Sequence, residues 1–408
     1  MAVNLSLYNM KNIVNIERVK QINTAAVYRL IDQQGPISRV QIAELSQLAA
    51  ASITKITRQL LSAKLIREVA QQQSTGGRRA TSLMSETSFR FISVRLGRGY
   101  LDLAVYDLTG YVYAKQAYQL PAQPESQLLP KLLGLIETFI KTLNSAPMAL
   151  ALTLSGLVSS GDGIIRYAPY YELSNVPLKT YLNEALKLPI FIGNDTRAMA
   201  LAEHYFGQAT NIDDSVLVSI HTGTSAGIIM NAQVFMHDRR DLAEIGHIQV
   251  DPFGEHCHCG HIGCLETICS NPAILRQAHR SLQQGVSSRL IADDPIEHIY
   301  QLAAEGDDLC ERLVKHAVQA LGKTLASVVN LLNPQVILLS GEICQSGDLL
   351  FAELRKVLAQ QTLPTFYQQL ELRAAHFQNH PTIGGLALIK RAMLDGELLM
   401  ELITRQLS

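Results

Sequence analysis

Three cysteines, Cys257, Cys259 and Cys264, fall within a span of eight residues, in a loop that also carries Gly254, Gly260 and Gly263. Glycines permit the tight turns that aim several thiolates at one point. Thiolates are soft ligands, and a tetrahedral divalent ion asks for a fourth donor. His247, ten residues before Cys257, is the best candidate, with His256, His258 and His261 as alternatives. Three sulfurs and one imidazole suit one Zn2+ per chain and leave no open coordination position, so the expected role is structural rather than hydrolytic. The competing reading, three free thiols in a mobile loop, fits the tight spacing less well. Cys269, Cys310 and Cys344 stand apart and read as small core residues.

A second set of residues could recognise hydroxyl groups. Asn194 and Asp195 follow the short apolar run Ile190 to Ile192, just before a helical pattern. A carboxylate at the end of a strand is open to a cleft and can accept a proton from a hydroxyl. Glu244, His247 and Glu266 flank the cysteine loop on either side. Each sugar hydroxyl must be hydrogen-bonded once it is desolvated, so a polyol pocket needs several such acceptors. Singly, Asp195 also reads as a helix cap and Glu266 as a solvated face. Together they point to a sugar site.

The elements that must position these groups follow from periodicity. From Phe89 onward, Phe91 to Leu96, Leu101 to Tyr106 and Tyr111 to Tyr118 alternate as strands with Gly97, Gly99 and Gly110 at the turns. A helix over Glu125 to Leu143, a strand over Met148 to Leu154 and another over Ile190 to Ile192 complete one unit. Ser215 to Ile220, Ala226 to Met230 and Gln233 to Met236 open a second, followed by helices from Pro272 and from Asp307 to Leu332. The strand Gln335 to Leu339 comes next. Two copies of a meander followed by helices and a strand predict two similar α/β lobes with a cleft between them.

The first 85 residues have another texture. Val19 to Gln33 reads as an amphipathic helix with Ile22, Ala26, Leu30 and Ile31 along one side, ended by Gly35-Pro36. Ser38 can cap a second helix through Leu45, and a third runs from Ser52 to about Ala63. Ile42, Leu45, Leu48, Ile53, Ile56 and Leu60 supply a small core. Two short strands, Leu65 to Val69 and Ala80 to Met84, surround a polar tip, Gln71 to Arg79. Three helices and such a wing predict a winged helix-turn-helix. Residues 1–82 hold eleven Lys and Arg against four acids, whereas the remainder holds twenty-four against thirty-two. A basic head on an acidic body is the charge pattern of a separate polyanion-binding module. Ser52, Thr54, Lys55, Arg58 and Gln59 on the third helix have the reach and donors for a major groove. Arg78 and Arg79, in the glycine-bearing wing tip, read as minor-groove guanidinium groups or as part of a plain linker.

Composition agrees with a well-buried globular chain: 47% hydrophobic and 17% charged residues. No apolar run approaches a membrane span, and Met1 to Met10 lacks a secretory pattern, so membrane insertion is not expected and the expected compartment is the cytoplasm.

Longer motifs sharpen the reading. His221-Thr-Gly-Thr-Ser-Ala-Gly227, Glu244-Ile-Gly-His247 and Cys257-His-Cys-Gly-His-Ile-Gly-Cys264-Leu-Glu266 resemble the ROK family of repressors and sugar kinases, as do Ser74-Thr-Gly-Gly-Arg-Arg-Ala80 and Leu201-Ala-Glu-His-Tyr-Phe-Gly207. The resemblance implies an actin/hexokinase-like two-lobed body behind the winged head. It implies sugar contacts at Asn194, Asp195, Glu244, His247 and Glu266, and zinc at His247, Cys257, Cys259 and Cys264, with His247 serving both. Among its repressor members it also implies N-acetylglucosamine 6-phosphate as inducer and amino-sugar uptake and catabolism genes as targets.

One departure from the family pattern carries weight. Family kinases open the first meander with an acidic residue that positions the Mg2+-nucleotide phosphates; here Arg95 stands there, in Val94-Arg95-Leu96-Gly97-Arg98-Gly99. A cation cannot hold Mg2+, so kinase activity is expected to be lost and no catalytic residue is assigned. Arg95, with backbone amides of the turn at Thr222, Gly223 and Thr224, is the expected seat for the inducer's 6-phosphate, although that turn also reads as a simple hairpin. Ser155-Gly156 replaces the family's frequent Pro-Gly, so no contact is carried over there.

The expected domains are a DNA-binding head over 1–85, a first lobe over 86–194 joined by a C-terminal helix over 381–408, and a second lobe over 195–380 bearing the zinc loop and the dimerisation surface. Expected partners are operator DNA, a sugar-phosphate inducer and a second copy, as homodimer or dimer of dimers. Two rivals stand beside this reading: a glucose-responsive repressor of the same family inactivated by a sugar transporter's cytoplasmic domain, and an active sugar kinase with an added head.

Overall fold

The computed structural model describes residues 16–70, 81–235, 243–378 and 380–407. The head contains α1 (Ile16–Gln34), β1 (Ile37–Ser38), α2 (Arg39–Ser46), α3 (Ala50–Ser62), β2 (Ile66–Ala70) and β3 (Thr81–Ser85). Ser38 begins α2 as foreseen. Its Oγ accepts from the Gln41 backbone N–H at 3.3 Å, and the Gln41 side chain accepts from the Ser38 N–H at 3.0 Å, a reciprocal capping box. Helix α3 buries Ile53, Ile56 and Leu60, and β2 and β3 pair antiparallel as the wing's base. The wing tip expected at 71–79, with Arg78 and Arg79, lies outside the described residues.

Two details differ from the sequence reading. Ile22, expected on the apolar side of the first helix, and Leu45, expected in the head's core, are 51% and 54% exposed. Helix α1 instead buries Thr24, Ala25, Val27, Tyr28 and Ile31, a face rotated because α1 serves two neighbours at once. It packs on the head and on the C-terminal helices α13 (Ile383–Leu394) and α14 (Glu397–Leu407). Helix α2 is only two turns long and buries Ile42 alone, which leaves Leu45 on its far side.

The first lobe holds β4 (Phe91–Leu96), β5 (Gly99–Tyr106), β6 (Val112–Leu120), α4 (Glu125–Lys141), β7 (Ala149–Leu154), β8 (Leu157–Ser159), β9 (Ile164–Ala168), β10 (Leu173–Val176), α5 (Leu178–Leu186) and β11 (Ile190–Asn194). Its main sheet runs β11-β7-β4-β5-β6, parallel through β11, β7 and β4 and antiparallel beyond. Strands β8 to β10 form a small separate sheet that the sequence reading left unassigned. Helix α6 (Asp195–Phe206) follows directly.

The second lobe holds β12 (Ser215–Ile220), β13 (Thr224–Met230), β14 (Gln233–Val234), α7 (Glu266–Cys269), α8 (Asn271–Gln283), α9 (Ile296–Ala304), α10 (Asp308–Leu332), β15 (Val336–Ser340), α11 (Asp348–Gln361), α12 (Pro364–Tyr367) and β16 (Glu371–Ala374). Its sheet, β14-β13-β12-β15-β16, repeats the first lobe's plan of an antiparallel meander joined to parallel strands. Two sheets of like design are what the repeated pattern predicts. No helix among the described residues is long and apolar enough to cross a membrane.

Three apolar clusters hold the chain together. One lies between α4, α5 and the first sheet, around Val94, Leu132 and Leu182. A second fills the second lobe around Val218, Leu321 and Leu339. The third runs without interruption from Val27, Tyr28 and Leu60 of the head to Leu388, Leu398 and Ile403 of the C-terminal helices. Polar contacts fasten the same seam. Lys390 Nζ lies 3.2 Å from Asp32 Oδ2 and donates to the Leu108 carbonyl at 3.3 Å. Arg29 donates to the Leu394 carbonyl at 3.0 Å, and Gln21 to that of Asp395 at 3.1 Å.

Candidate functional site

The cysteine loop folds as the glycine spacing requires. Cys257 N–H donates to the His261 carbonyl and Gly260 N–H to the Cys257 carbonyl, closing a tight turn between Cys257 and His261. Gly263 sits at φ +68°, and a Cβ there would meet the Asp251 carbonyl oxygen at 1.5 Å, so only glycine fits. Glu255 ties the loop to α8 through Arg276 at 3.1 Å and through Arg280. Burial alone would raise the Glu255 carboxyl, but the two guanidinium groups hold it below its ordinary value.

His247 lies in a short 3-10 turn, Ile245–His247. Its ring, with the three sulfurs of Cys257, Cys259 and Cys264, forms a group of ligand atoms all within 4.8 Å of one another. His247 Nδ1 is 3.6 Å from Cys257 Sγ, and Cys259 Sγ is 3.7 Å from Cys264 Sγ. A tetrahedral ion with metal–sulfur bonds of about 2.3 Å has sulfur–sulfur edges of about 3.8 Å, so the donors stand at metal-binding separations. These four residues can hold a metal ion. Of the alternatives, His261 lies 3.5 Å from Cys259 Sγ, and His258 turns to Glu266 at 3.1 Å. Burial pushes the Cys264 thiol up to about 12, whereas Cys259, which burial would also raise, is held down to about 6 by the His261 N–H and hydrogen bonds with neighbouring side chains.

The carboxylates approach from three elements. Asn194 caps α6: its Oδ1 accepts from Arg197 N–H at 3.1 Å, and its Nδ2 donates to the Gly156 carbonyl at 3.0 Å. Asp195 Oδ1 accepts from Thr196 N–H at 2.9 Å. Glu244 precedes the His247 turn and receives Arg197 Nη2 at 3.2 Å. Glu266, at the start of α7, accepts from Thr224 N–H at 2.9 Å with Oε2. Thr196 and Ser225 hydroxyls meet at 2.6 Å and tie α6 to β13. One bonded chain thus runs from α6 to β13, the His247 turn and the cysteine loop. A cavity of about 330 Å3 lies against Thr222, Cys257, His258, Glu266 and Arg276; Asn194, Asp195, Glu244 and His247 are not among its lining residues.

Arg95 is level with Thr153 of β7 and opposite Asp102 of β5, at the carboxyl edge of the first sheet. That edge is where ligands bind in open parallel sheets. Its Nη1 donates to the Tyr100 hydroxyl at 2.7 Å, and its Nη2 stands 3.7 Å from Asp195 Oδ2. Burial would weaken its charge, but Asp195, Tyr100 and Asp102 outweigh that and raise its proton affinity. Of the expected phosphate-facing amides, that of Thr224 is committed to Glu266.

Some polar residues escaped the sequence reading. Arg197, only 7% exposed, joins α6 to Glu244; its signal was a long cation on the inward face of a helix. His221 Nδ1 lies 2.8 Å from Glu342, which also receives Asn271 at 2.7 Å; Tyr300 donates on to Asn271. Burial opposes the Glu342 charge, yet His221 and Asn271 hold its carboxyl down to about 2. This network fastens the turn that carries Thr222 to Thr224.

On the head, Thr54, Lys55 and Arg58 of α3 are exposed and Ser52 and Gln59 half-exposed, on the side opposite Ile53, Ile56 and Leu60. All five expected DNA-facing residues of α3 lie on that open side.

A sugar-kinase-like body with a cysteine-bearing loop and an added winged head defines a class, and the chain belongs to the ROK family, whose model matches residues 91–392. Among its relatives is the DNA-binding transcriptional dual regulator NagC of Escherichia coli (strain K12), 46% identical over 394 residues, covering 95% of this chain and 97% of that one. The DNA-binding transcriptional repressor Mlc of the same organism is 36% identical over 397 residues, covering 95% and 98%. A solved ROK family transcriptional regulator, a homologue of the Escherichia coli Mlc protein, superposes with a TM-score of 0.90 at 41% identity, covering 95% of this chain and 99% of its own. The ROK hexokinase of Thermus thermophilus matches at a TM-score of 0.62 and 26% identity; it covers 97% of its own length but only 74% of this chain.

Proposed function

We infer that this protein is a DNA-binding transcriptional repressor of amino-sugar uptake and catabolism genes, and that N-acetylglucosamine 6-phosphate releases it from its operators. The observation that carries the reading is similarity to a regulator over 95% of the chain, head included. Against a sugar kinase stands the naming of its relatives at 46% and 36% identity, and of the solved structure at TM-score 0.90, as transcriptional regulators, whereas the solved hexokinase covers 74% of this chain. Arg95 adds a physical reason, since a guanidinium paired with Asp195 repels the Mg2+ that phosphoryl transfer requires.

Zinc is the ion that three thiolates and an imidazole fit, and Cys257, Cys259, Cys264 and His247 would hold it. It supplies a closed structural cross-link that fixes the His247 turn beside Glu244. Asn194, Glu244, His247 and Glu266 bind the sugar hydroxyls, and Asp195 faces the sugar's primary hydroxyl position. In the head, α3 enters the major groove with Ser52, Thr54, Lys55, Arg58 and Gln59 toward the DNA. Two heads in a homodimer read two half-sites, and the second lobe supplies the dimer contact. The inducer acts by binding one arrangement of the lobes more tightly than the other.

The test uses the full chain. An operator duplex from an amino-sugar gene is titrated with protein, then with N-acetylglucosamine 6-phosphate, glucose and ATP separately. The expected result is tight operator binding, release by the sugar phosphate alone and no consumption of ATP with N-acetylglucosamine. Release only by a glucose transporter's cytoplasmic domain, or metal-dependent sugar phosphorylation, overturns the reading.

A further inference from the structure

Arg95 and Asp195 face one another across the carboxyl edge of the first sheet, both largely buried, with side-chain exposures of 27% and 21%. The two ends of this pair are held differently. The guanidinium is anchored by its 2.7 Å hydrogen bond to Tyr100, whose ring packs over Gly97 so closely that a Cβ at Gly97 would lie 2.2 Å from it. The carboxylate is secured by the Thr196 N–H through Oδ1, and its Oδ2 looks across to Arg95 at 3.7 Å. That separation is an ion-pair contact, longer than a direct hydrogen bond. The contact is the yielding link, and Arg95 is the fixed member.

We propose that Asp195 is the resting counter-ion of Arg95, and that a phosphomonoester on the sugar's primary hydroxyl takes Arg95 over from it, making this pair the element that tells a phosphorylated sugar from a free one. The proposal rests on the sugar-phosphate reading above and deepens it. A free hydroxyl has a proton for Asp195 to accept, so a free sugar leaves the pair intact. In the 6-phosphate that oxygen is an ester and has no proton to give. The phosphate instead brings two negative charges beside Asp195 and Asp102, and Arg95 is the cation beside both. A dianion and a carboxylate cannot both be accommodated on one guanidinium without strong repulsion, so the carboxylate gives way.

The exchange predicts opposite effects from its two members. Full-length protein is titrated calorimetrically with N-acetylglucosamine 6-phosphate and with N-acetylglucosamine. Arg95→Gln should weaken the phosphorylated sugar on the order of 10- to 100-fold and the free sugar by about twofold or less, as expected for loss of a charge-assisted contact. Arg95→Lys, which retains the charge, should recover part of the loss. Asp195→Asn removes the competing charge, so it should tighten the phosphorylated sugar several-fold while weakening the free sugar. A general structural defect would weaken both ligands and could not yield a gain. Equal loss of both ligands in both variants overturns the exchange and leaves the repressor reading standing. Failure of the wild-type chain to bind the sugar phosphate overturns both.

Discussion

Replacing Lys390 by methionine tests whether the head and the body are one cooperative unit. The Lys390 ammonium lies 3.2 Å from Asp32, and the two side chains are only 16% and 12% exposed. At an effective dielectric of about 20 this separation sets a Coulomb ceiling of about 5 kcal/mol. Desolvation of both ions offsets much of it, but removing Lys390 leaves the Asp32 carboxylate buried with the Ser85 hydroxyl, at 3.4 Å, in place of a counter-ion. The expected loss is about 2–3 kcal/mol, between the ~1 kcal/mol of exposed pairs and the ~3–5 kcal/mol of fully buried ones. Methionine keeps an unbranched apolar chain but gives up the ammonium, which also sits 5.1 Å from the Phe206 ring centroid. The chain has no tryptophan, so urea unfolding is followed by far-ultraviolet circular dichroism, with amide hydrogen exchange reporting on α1. Lys390→Met should lower stability and accelerate exchange in α1. Asp32→Asn with Lys390→Met should cost less than the two single changes together, with a coupling of at least about 1 kcal/mol. Simple additivity, or α1 exchange unchanged in Lys390→Met, would refute the reasoning.

Three further outcomes are expected. Gly263→Ala forces a Cβ onto the Asp251 carbonyl, so the purified variant should retain less of the zinc proposed above than the wild-type chain does in elemental analysis, and its loop should become open to limited proteolysis. Asp307 caps α10 through the Leu309 and Cys310 amides, and although burial opposes its charge, these and the Arg289 N–H and Ser288 hydroxyl hold its carboxyl down to about 2. Its ionised form is the one the fold favours, so its contribution is complete above about pH 4 and disappears as pH falls through about 2. Asp307→Ala should cost about 1–2 kcal/mol at neutral pH, with the gap to wild type closing in acid unfolding curves. Lys55→Ala and Arg58→Ala should each weaken operator binding; for a phosphate contact the salt slope falls by about one, and a variant with unchanged affinity places that residue off the DNA.

Much of this architecture was readable in the chain itself, because its signals are local. The Ser38–Gln41 capping box, the two glycine-turned meanders and the cysteine spacing each depend on residues close in sequence. The errors came from long-range packing. Ile22 has the spacing of a core residue, yet α1 turns another face inward because it meets α13 and α14, which lie hundreds of residues on. The same holds for the site. Asp195 and Glu266 were visible as candidates, but the Arg95–Asp195 pair, the Arg197–Glu244 bridge and the Glu342 network join residues whose proximity only the folded lobes create. The β8 to β10 sheet was hidden for another reason: its strands of three to five residues are too short to show periodicity.

The apolar seam that joins Tyr28 and Leu60 to Leu398 and Ile403 has a bearing on how the molecule is made. Helices α1 to α3 leave the ribosome long before α13 and α14 exist, so the face that the head packs against them stays bare throughout elongation. Helix α3 gains its contact with α14 only when the last helices dock. The surface that backs the DNA-facing helix therefore arrives at the close of synthesis, and a prematurely terminated chain lacks it.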